Sequence, residues 1–193
     1  MYNSTQAYEE NGSIKVSQFI DETTINTVSR YLENKIKRKE WVVEGIWDQS
    51  KYGYYADPLL EVMLERCRDE VGRLVGKDLL STYSYVRVYQ PGEQLEPHVD
   101  RPSCETSVTV SVAKKGEDSP IMVQYANRDP ARYILKDGDA VIYKGCEATH
   151  WRAPLKRDQL IVQFMLHYVD KNGPNAEYAM DKRVCIGAPV NEE

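Results

Sequence analysis

After Asp78 the spacing of apolar residues changes from helical to alternating, and the alternation persists almost to Asp170. A chain with this change of period must build most of its core from strands and pack its earlier helices against them. The alternating stretches are Tyr83–Tyr89, Ser107–Val112, Ile121–Tyr125, Arg132–Leu135, Ala140–Tyr143, Thr149–Ala153 and Leu160–Val169. Turn pairs separate them at Pro91-Gly92, Lys115-Gly116, Asp137-Gly138 and Lys144-Gly145. This order predicts an α+β chain, mainly β, whose strands close into a barrel or jelly roll.

Two helices should precede the strands. Asp21 caps a segment running to Lys37, with Ile25, Val28, Leu32 and Ile36 on one face. Asp57, Pro58 and Gly76 supply cap, first turn and left-handed stop for the second. Its stripe runs from Leu60 through Met63, Leu64, Cys67 and Val71 to Leu74 and Val75. Between the helices, Trp41, Val42, Val43, Ile46 and Trp47 suggest a strand leading to the tyrosine-rich loop Tyr52-Gly-Tyr-Tyr55, which could line an entrance or form a packed turn. At 193 residues we expect one domain over 1–193, with helical support in 1–80, a β core in 81–170 and an irregular tail in 171–193.

The formal net charge of −5 offers no general attraction to phosphate backbones or anionic lipid, so neither nucleic acid nor membrane is an expected partner. The basic run Lys35, Lys37, Arg38, Lys39 reads as a solvated helix end. No apolar stretch approaches the ~18 residues that span a bilayer, and the N-terminus has no basic-then-apolar leader, so a cytoplasmic protein is expected. Cys67, Cys104, Cys146 and Cys185 are dispersed and read as reduced thiols.

Histidine is scarce, with three in the chain, and two are placed where a metal site would want them. His98-Val-Asp100 sets two ligand types at i and i+2, on one face of an extended segment. His150 follows at a strand end after the Gly138-Asp139 turn. Two imidazoles and one carboxylate on one face leave open positions on an octahedral ion, the pattern suited to non-haem iron(II). Alone, His-x-Asp is a weak signal.

Three stretches carry more: YSYVRVYQPGEQLEPHVDRPSC, GDAVIYKGCEATHWRAP and QLIVQFMLHYVD. On these, the chain from about Thr82 to Asp170 resembles the prolyl-4-hydroxylase-like branch of the iron(II)/2-oxoglutarate dioxygenase superfamily. The resemblance implies a double-stranded β-helix, a jelly-roll or cupin-like barrel buttressed by the N-terminal helices. It also implies Fe(II) held by His98, Asp100 and His150, with 2-oxoglutarate as cosubstrate, dioxygen consumed, and succinate and CO2 released. A peptide, an amino acid or a small metabolite would be hydroxylated. The carboxylate ligand favours hydroxylation over halogenation.

A buried cation must meet the distal carboxylate of such a cosubstrate, and a planar guanidinium suits it. The family places this cation beyond the distal histidine on the last core strand, where Arg157 stands seven residues after His150 and Gln159 nine after. Arg152 alternates with His150, and Arg87 shares a strand face with Tyr83, Tyr85 and Tyr89, so Arg87, Arg152 and Arg157 all compete. Tyr89 is expected on the cosubstrate carboxylate, and Tyr83 and Tyr85 beside the substrate. Arg101 would either support Asp100 or pair with Glu105 at the surface. Trp151 should pack at the core or rim, Cys146 in a turn, and His167 as a satisfied structural histidine. The competing function is a barrel that binds a peptide or sugar without redox chemistry.

Overall fold

The computed structural model describes residues 3–38 and 53–187. The expected strand at residues 41–47, Lys39 of the basic run and Tyr52 lie outside them. In order, the elements are α1 (Ser4–Asn11), β1 (Ser13–Val16), α2 (Glu22–Lys37), β2 (Gly53–Tyr55), α3 (Pro58–Val75), β3 (Leu79–Tyr89), β4 (Leu95–His98), β5 (Thr106–Lys115), β6 (Ile121–Gln124), β7 (Ala131–Tyr133), β8 (Ala140–Lys144), β9 (Thr149–Arg152) and β10 (Leu160–Asp170).

The two longer helices begin and end where local chemistry directs. The Asp21 carboxylate accepts from the Thr24 amide at 2.9 Å and the Thr24 hydroxyl at 2.7 Å, starting α2. Asp57 accepts from the Leu59 amide at 3.0 Å, and Gly76 closes α3 at φ 73°. Asp57 also receives Lys35 Nζ at 2.5 Å and the Tyr31 hydroxyl at 2.9 Å, tying α2 to α3. Lys35 and Lys37 form the last turn of α2, but only Lys37, paired to Glu33, is solvated; Lys35 is drawn inward by buried Asp57.

The strands form two antiparallel sheets. The larger has the order β1-β8-β5-β10-β3-β2 and the smaller β4-β9-β6-β7. This is the double-stranded β-helix expected from the sequence, with α1 and β1 in addition. Their residues carry too little periodicity to be seen: α1 has only Tyr8 buried, and β1 is four residues long.

Alternation along β3, β5 and β10 sorts side chains onto two unlike faces. Val86, Val88, Val108, Val110, Phe164 and Leu166 pack with Val28 and Leu32 of α2 and Leu60, Leu64 and Val71 of α3 in one core. At 25 cal/mol per Å2, each such aliphatic side chain contributes about 1.5–3 kcal/mol. The opposite face is buried yet polar, carrying Arg87, Ser107, Thr109, Ser111, Gln163 and His167. Buried polar groups persist only with hydrogen-bond partners or ligands, so this face marks the working interior.

The tail is irregular, as expected, and its described part, up to residue 187, is anchored to the body of the fold. Arg183, 7% exposed, donates to Glu61 Oε2 at 2.8 Å and to the Thr82 carbonyl at 2.7 Å. Glu61 is 1% exposed, and its other oxygen accepts from the Ser84 amide and hydroxyl at 2.7 and 2.8 Å.

Candidate metal centre

The smaller sheet brings the two distant histidines together. β4 and β9 run antiparallel with His98 directly opposite His150, and the ring centroids are 4.3 Å apart. Asp100 follows β4, and its backbone is fixed by its amide donating to the Gly145 carbonyl at 2.8 Å. His98 Nε2 lies 3.6 Å and His150 Nε2 3.5 Å from Asp100 Oδ1, and the ligand atoms of all three residues fall within 4.8 Å of one another. Donors about 2.1 Å from one octahedral ion stand about 3 Å apart, so a small contraction would let the three share an ion.

Each donor atom is aimed from behind. Nδ1 of His98 donates to the Glu96 carbonyl at 2.7 Å, and Nδ1 of His150 to the Ala148 carbonyl at 3.0 Å. A carbonyl can only accept, so Nδ1 carries a proton in both rings and Nε2 is the atom turned toward Asp100, bare whenever the ring is neutral. The Ser107 hydroxyl donates to Asp100 Oδ2 at 2.7 Å, which leaves Oδ1 for the histidines. Burial opposes ionisation of Asp100, but the His150 and His98 imidazoles outweigh it and hold the carboxyl well below the usual range. The same contact with Asp100 raises His98 above its ordinary value. Two nitrogens and one hard oxygen on one side fit a borderline divalent ion such as iron(II).

The ligands differ in access. The His98 side chain is 40% exposed, Asp100 14% and His150 3%. A reactant therefore reaches the centre past His98. The ring of buried Tyr143 backs His150 at 4.6 Å.

A second ligand-type group, Asp100, Cys104 and His167, lies within the same 4.8 Å limit. It shares Asp100 with the first, and the Ser107 hydroxyl already bridges Asp100 Oδ2 to His167 Nδ1. Burial drives His167 down to about 4, keeping it neutral near pH 7. His167 is buried and hydrogen-bonded, as expected of a structural histidine, while Ser107 carries no motif that marks it. The only signal is the hydroxyl row Ser107, Thr109, Ser111 alternating with valines.

Deeper in the barrel, Arg152 is 4% and Arg87 8% exposed. Their guanidinium carbons lie 5.4 and 4.2 Å from the Tyr89 ring centre. Arg152 donates to Gln163 Oε1 at 2.9 Å and to the Ser119 carbonyl, while its buried Nε has no partner. Among the described residues it forms no ion pair; burial, with the Arg87 cation, lowers its pKa, and Tyr89 and Tyr143 act the other way. Gln163 sits on β10, the last long strand, where a cation was expected.

Arg157 does not join this pocket. It lies on an exposed turn before β10, because the strand starts only at Leu160. Arg101 also departs from both expectations: it clasps Asp181 of the tail through two 2.8 Å bonds, while Glu105 pairs with Lys77 at 3.0 Å. Asp181 further accepts from Ser103 at 2.6 Å and Tyr55 at 2.5 Å. Tyr83 is buried, its hydroxyl 3.0 Å from Cys104 Sγ and its ring 4.6 Å from His167, so it packs behind Asp100. Tyr85 is half-buried between Tyr55 and Met165 across the sheet. Trp151 is half-buried on β9, out of phase with His150. Cys146 donates to the Arg101 carbonyl at 3.3 Å, and burial lifts its thiol to about 11, so it is no nucleophile.

No family model matches the sequence, and no curated protein does. Solved structures do match in fold. The non-haem α-ketoglutarate-dependent carbocyclase SnoK of nogalamycin biosynthesis aligns over 100% of this chain and 94% of its own, at 15% identity and TM-score 0.72. The epimerase SnoN in complex with Fe3+, α-ketoglutarate and nogalamycin RO aligns over 98% and 94%, at 14% identity and TM-score 0.69. A Pseudomonas putida prolyl-4-hydroxylase aligns over 85% and 96%, at 12% identity and TM-score 0.66. The chain shares the double-stranded β-helix fold with these structures.

Proposed function

We propose that this protein is an iron(II)- and 2-oxoglutarate-dependent oxygenase that hydroxylates a C–H bond of a peptide, amino acid or small metabolite. One observation carries the reading: Nε2 of His98, Nε2 of His150 and Oδ1 of Asp100 face one point, each fixed by a hydrogen bond on its far side. A surface His-Asp pair needs no such backing. Bound iron would supply activation of dioxygen and chelation of the 2-oxo acid.

The rest falls to this chain's own residues. Arg152, buried and without an ion pair among the described residues, is the anchor for the distal carboxylate of 2-oxoglutarate, with Arg87 and Tyr89 completing its cradle. Gln163 holds the Arg152 guanidinium in plane. The apolar wall of the larger sheet excludes bulk water from behind, and the half-exposed His98 side admits substrate. SnoN with Fe3+ and α-ketoglutarate bound supports the cofactor assignment, and the P. putida hydroxylase supports the reaction class.

Anaerobic addition of iron(II) and 2-oxoglutarate should give a weak visible charge-transfer band, from a chelated cosubstrate on a three-residue face. Admission of air should then yield succinate. Absence of both, with a peptide or sugar retained, would establish the binding module instead.

A further inference from the structure

We propose that Ser107 and His167 form a hydrogen-bonded prop that turns Asp100 Oδ2 away from the metal, so that Asp100 serves as a one-oxygen ligand. The inference rests on the metal reading above.

A serine hydroxyl has one proton to give. Ser107 Oγ has three polar neighbours: Asp100 Oδ2 at 2.7 Å, His167 Nδ1 at 2.9 Å and the Cys104 carbonyl at 3.1 Å. Two are acceptors competing for that proton, and the nearer, charged carboxylate wins it. Nδ1 of His167 must then be a donor. The chain runs from His167 Nδ1–H to Ser107 Oγ–H to Asp100 Oδ2, whatever the state of Nε2.

The prop is built into the scaffold. His167 and Ser107 are directly paired across β10 and β5, Ser107 is completely buried, and the Tyr83 ring holds the imidazole from 4.6 Å. Away from water such a chain is stronger than at the surface. Gly145 makes room for it. A Cβ there would stand 2.6 Å from Asp100 Oδ2, 2.7 Å from Ser107 Oγ and 2.1 Å from the Cys104 carbonyl oxygen. With Oδ2 occupied, the carboxylate does not swing both oxygens inward, and the positions needed by cosubstrate and dioxygen stay open.

The test is titration of the metal-free protein with Co(II), read by visible absorption and by calorimetry, alongside thermal melting of the metal-free form. Wild type should bind one equivalent, and His98→Ala should not. Ser107→Ala should weaken binding by about tenfold or more and alter the Co(II) spectrum as the second oxygen is released. His167→Asn keeps an N–H near the Nδ1 place and should retain wild-type binding, whereas His167→Phe should weaken it. A residue that merely fills the core would change melting and leave affinity and spectrum alone. Wild-type affinity and spectrum in both Ser107→Ala and His167→Phe would overturn the prop while leaving the metal site standing. Should Ser107→Ala not fold, the contrast between the two His167 variants decides. Failure of wild type itself to bind Co(II), or equal binding by His98→Ala, would instead bring down the metal reading and the prop with it.

Discussion

His98 and His150, fifty-two residues apart in the chain, are direct cross-strand neighbours whose ring centres lie 4.3 Å apart. Neither strand is long, and a one-residue slip of register would send one imidazole to the outside. The centre therefore depends on how β4 meets β9. His98→Ala or Asp100→Ala should abolish metal binding and succinate formation together, since two protein ligands hold a divalent ion poorly. Calorimetry and a succinate assay check both, and retained turnover in either variant would sink the assignment.

The anchoring cation is distinguished by substitution. Arg152→Leu should raise the 2-oxoglutarate requirement roughly tenfold to hundredfold, the worth of a charged hydrogen bond of about 1.5–3 kcal/mol. Arg87→Leu should act in the same direction, and Arg157→Leu should act on nothing, because it sits on an exposed turn. Steady-state kinetics in 2-oxoglutarate separate the three.

The Glu61–Arg183 pair makes the tail part of the fold. Removing one partner leaves a charge in a site almost closed to water, which costs about 3–5 kcal/mol. Arg183→Ala should lower stability by that order in urea unfolding. A loss under 1 kcal/mol would show that the tail is held elsewhere.

Asp181 gives the tail a dependence on acid. Burial acts against its ionisation, but hydrogen bonds from Arg101, Ser103 and Tyr55 prevail and lower its pKa below the ordinary 3.8. A carboxylate depressed on folding stabilises fully above its unfolded value and loses that contribution as pH falls through the folded one. Hydrogen exchange across residues 176–187 should thus be unchanged from pH 7 to about 5 and rise below 3.8, after correction for intrinsic rates. In Asp181→Asn the exchange should be high already at pH 7.

Gly145 sets a limit on the site of a different kind. Gly145→Ala drives a methyl against a backbone carbonyl and the Asp100 carboxylate at once, and a carbonyl cannot rotate aside as a side chain could. Metal affinity should fall more than stability does, measured by Co(II) titration and thermal melting of the same samples.

Local rules made much of this protein legible from its residues. The Asp21 and Asp57 caps, the left-handed Gly76, the stripe on α3 and the alternation of β3, β5 and β10 each depend on neighbours within a few positions, so sequence alone determines them. His98-Val-Asp100 was visible for the same reason. Tertiary structure decided what joins across distance. Alternation from Leu160 already marks the start of β10 and leaves Arg157 on the turn before it, but that Arg152 and Gln163 meet inside the barrel was decided by how the strands pack. Ser107 meets both Asp100 and His167, sixty residues away, and Arg101 meets Asp181, eighty away, only because strand register and the path of the tail bring them together. Such contacts are paid for by the whole core rather than by any local preference, and no short stretch of sequence contains them.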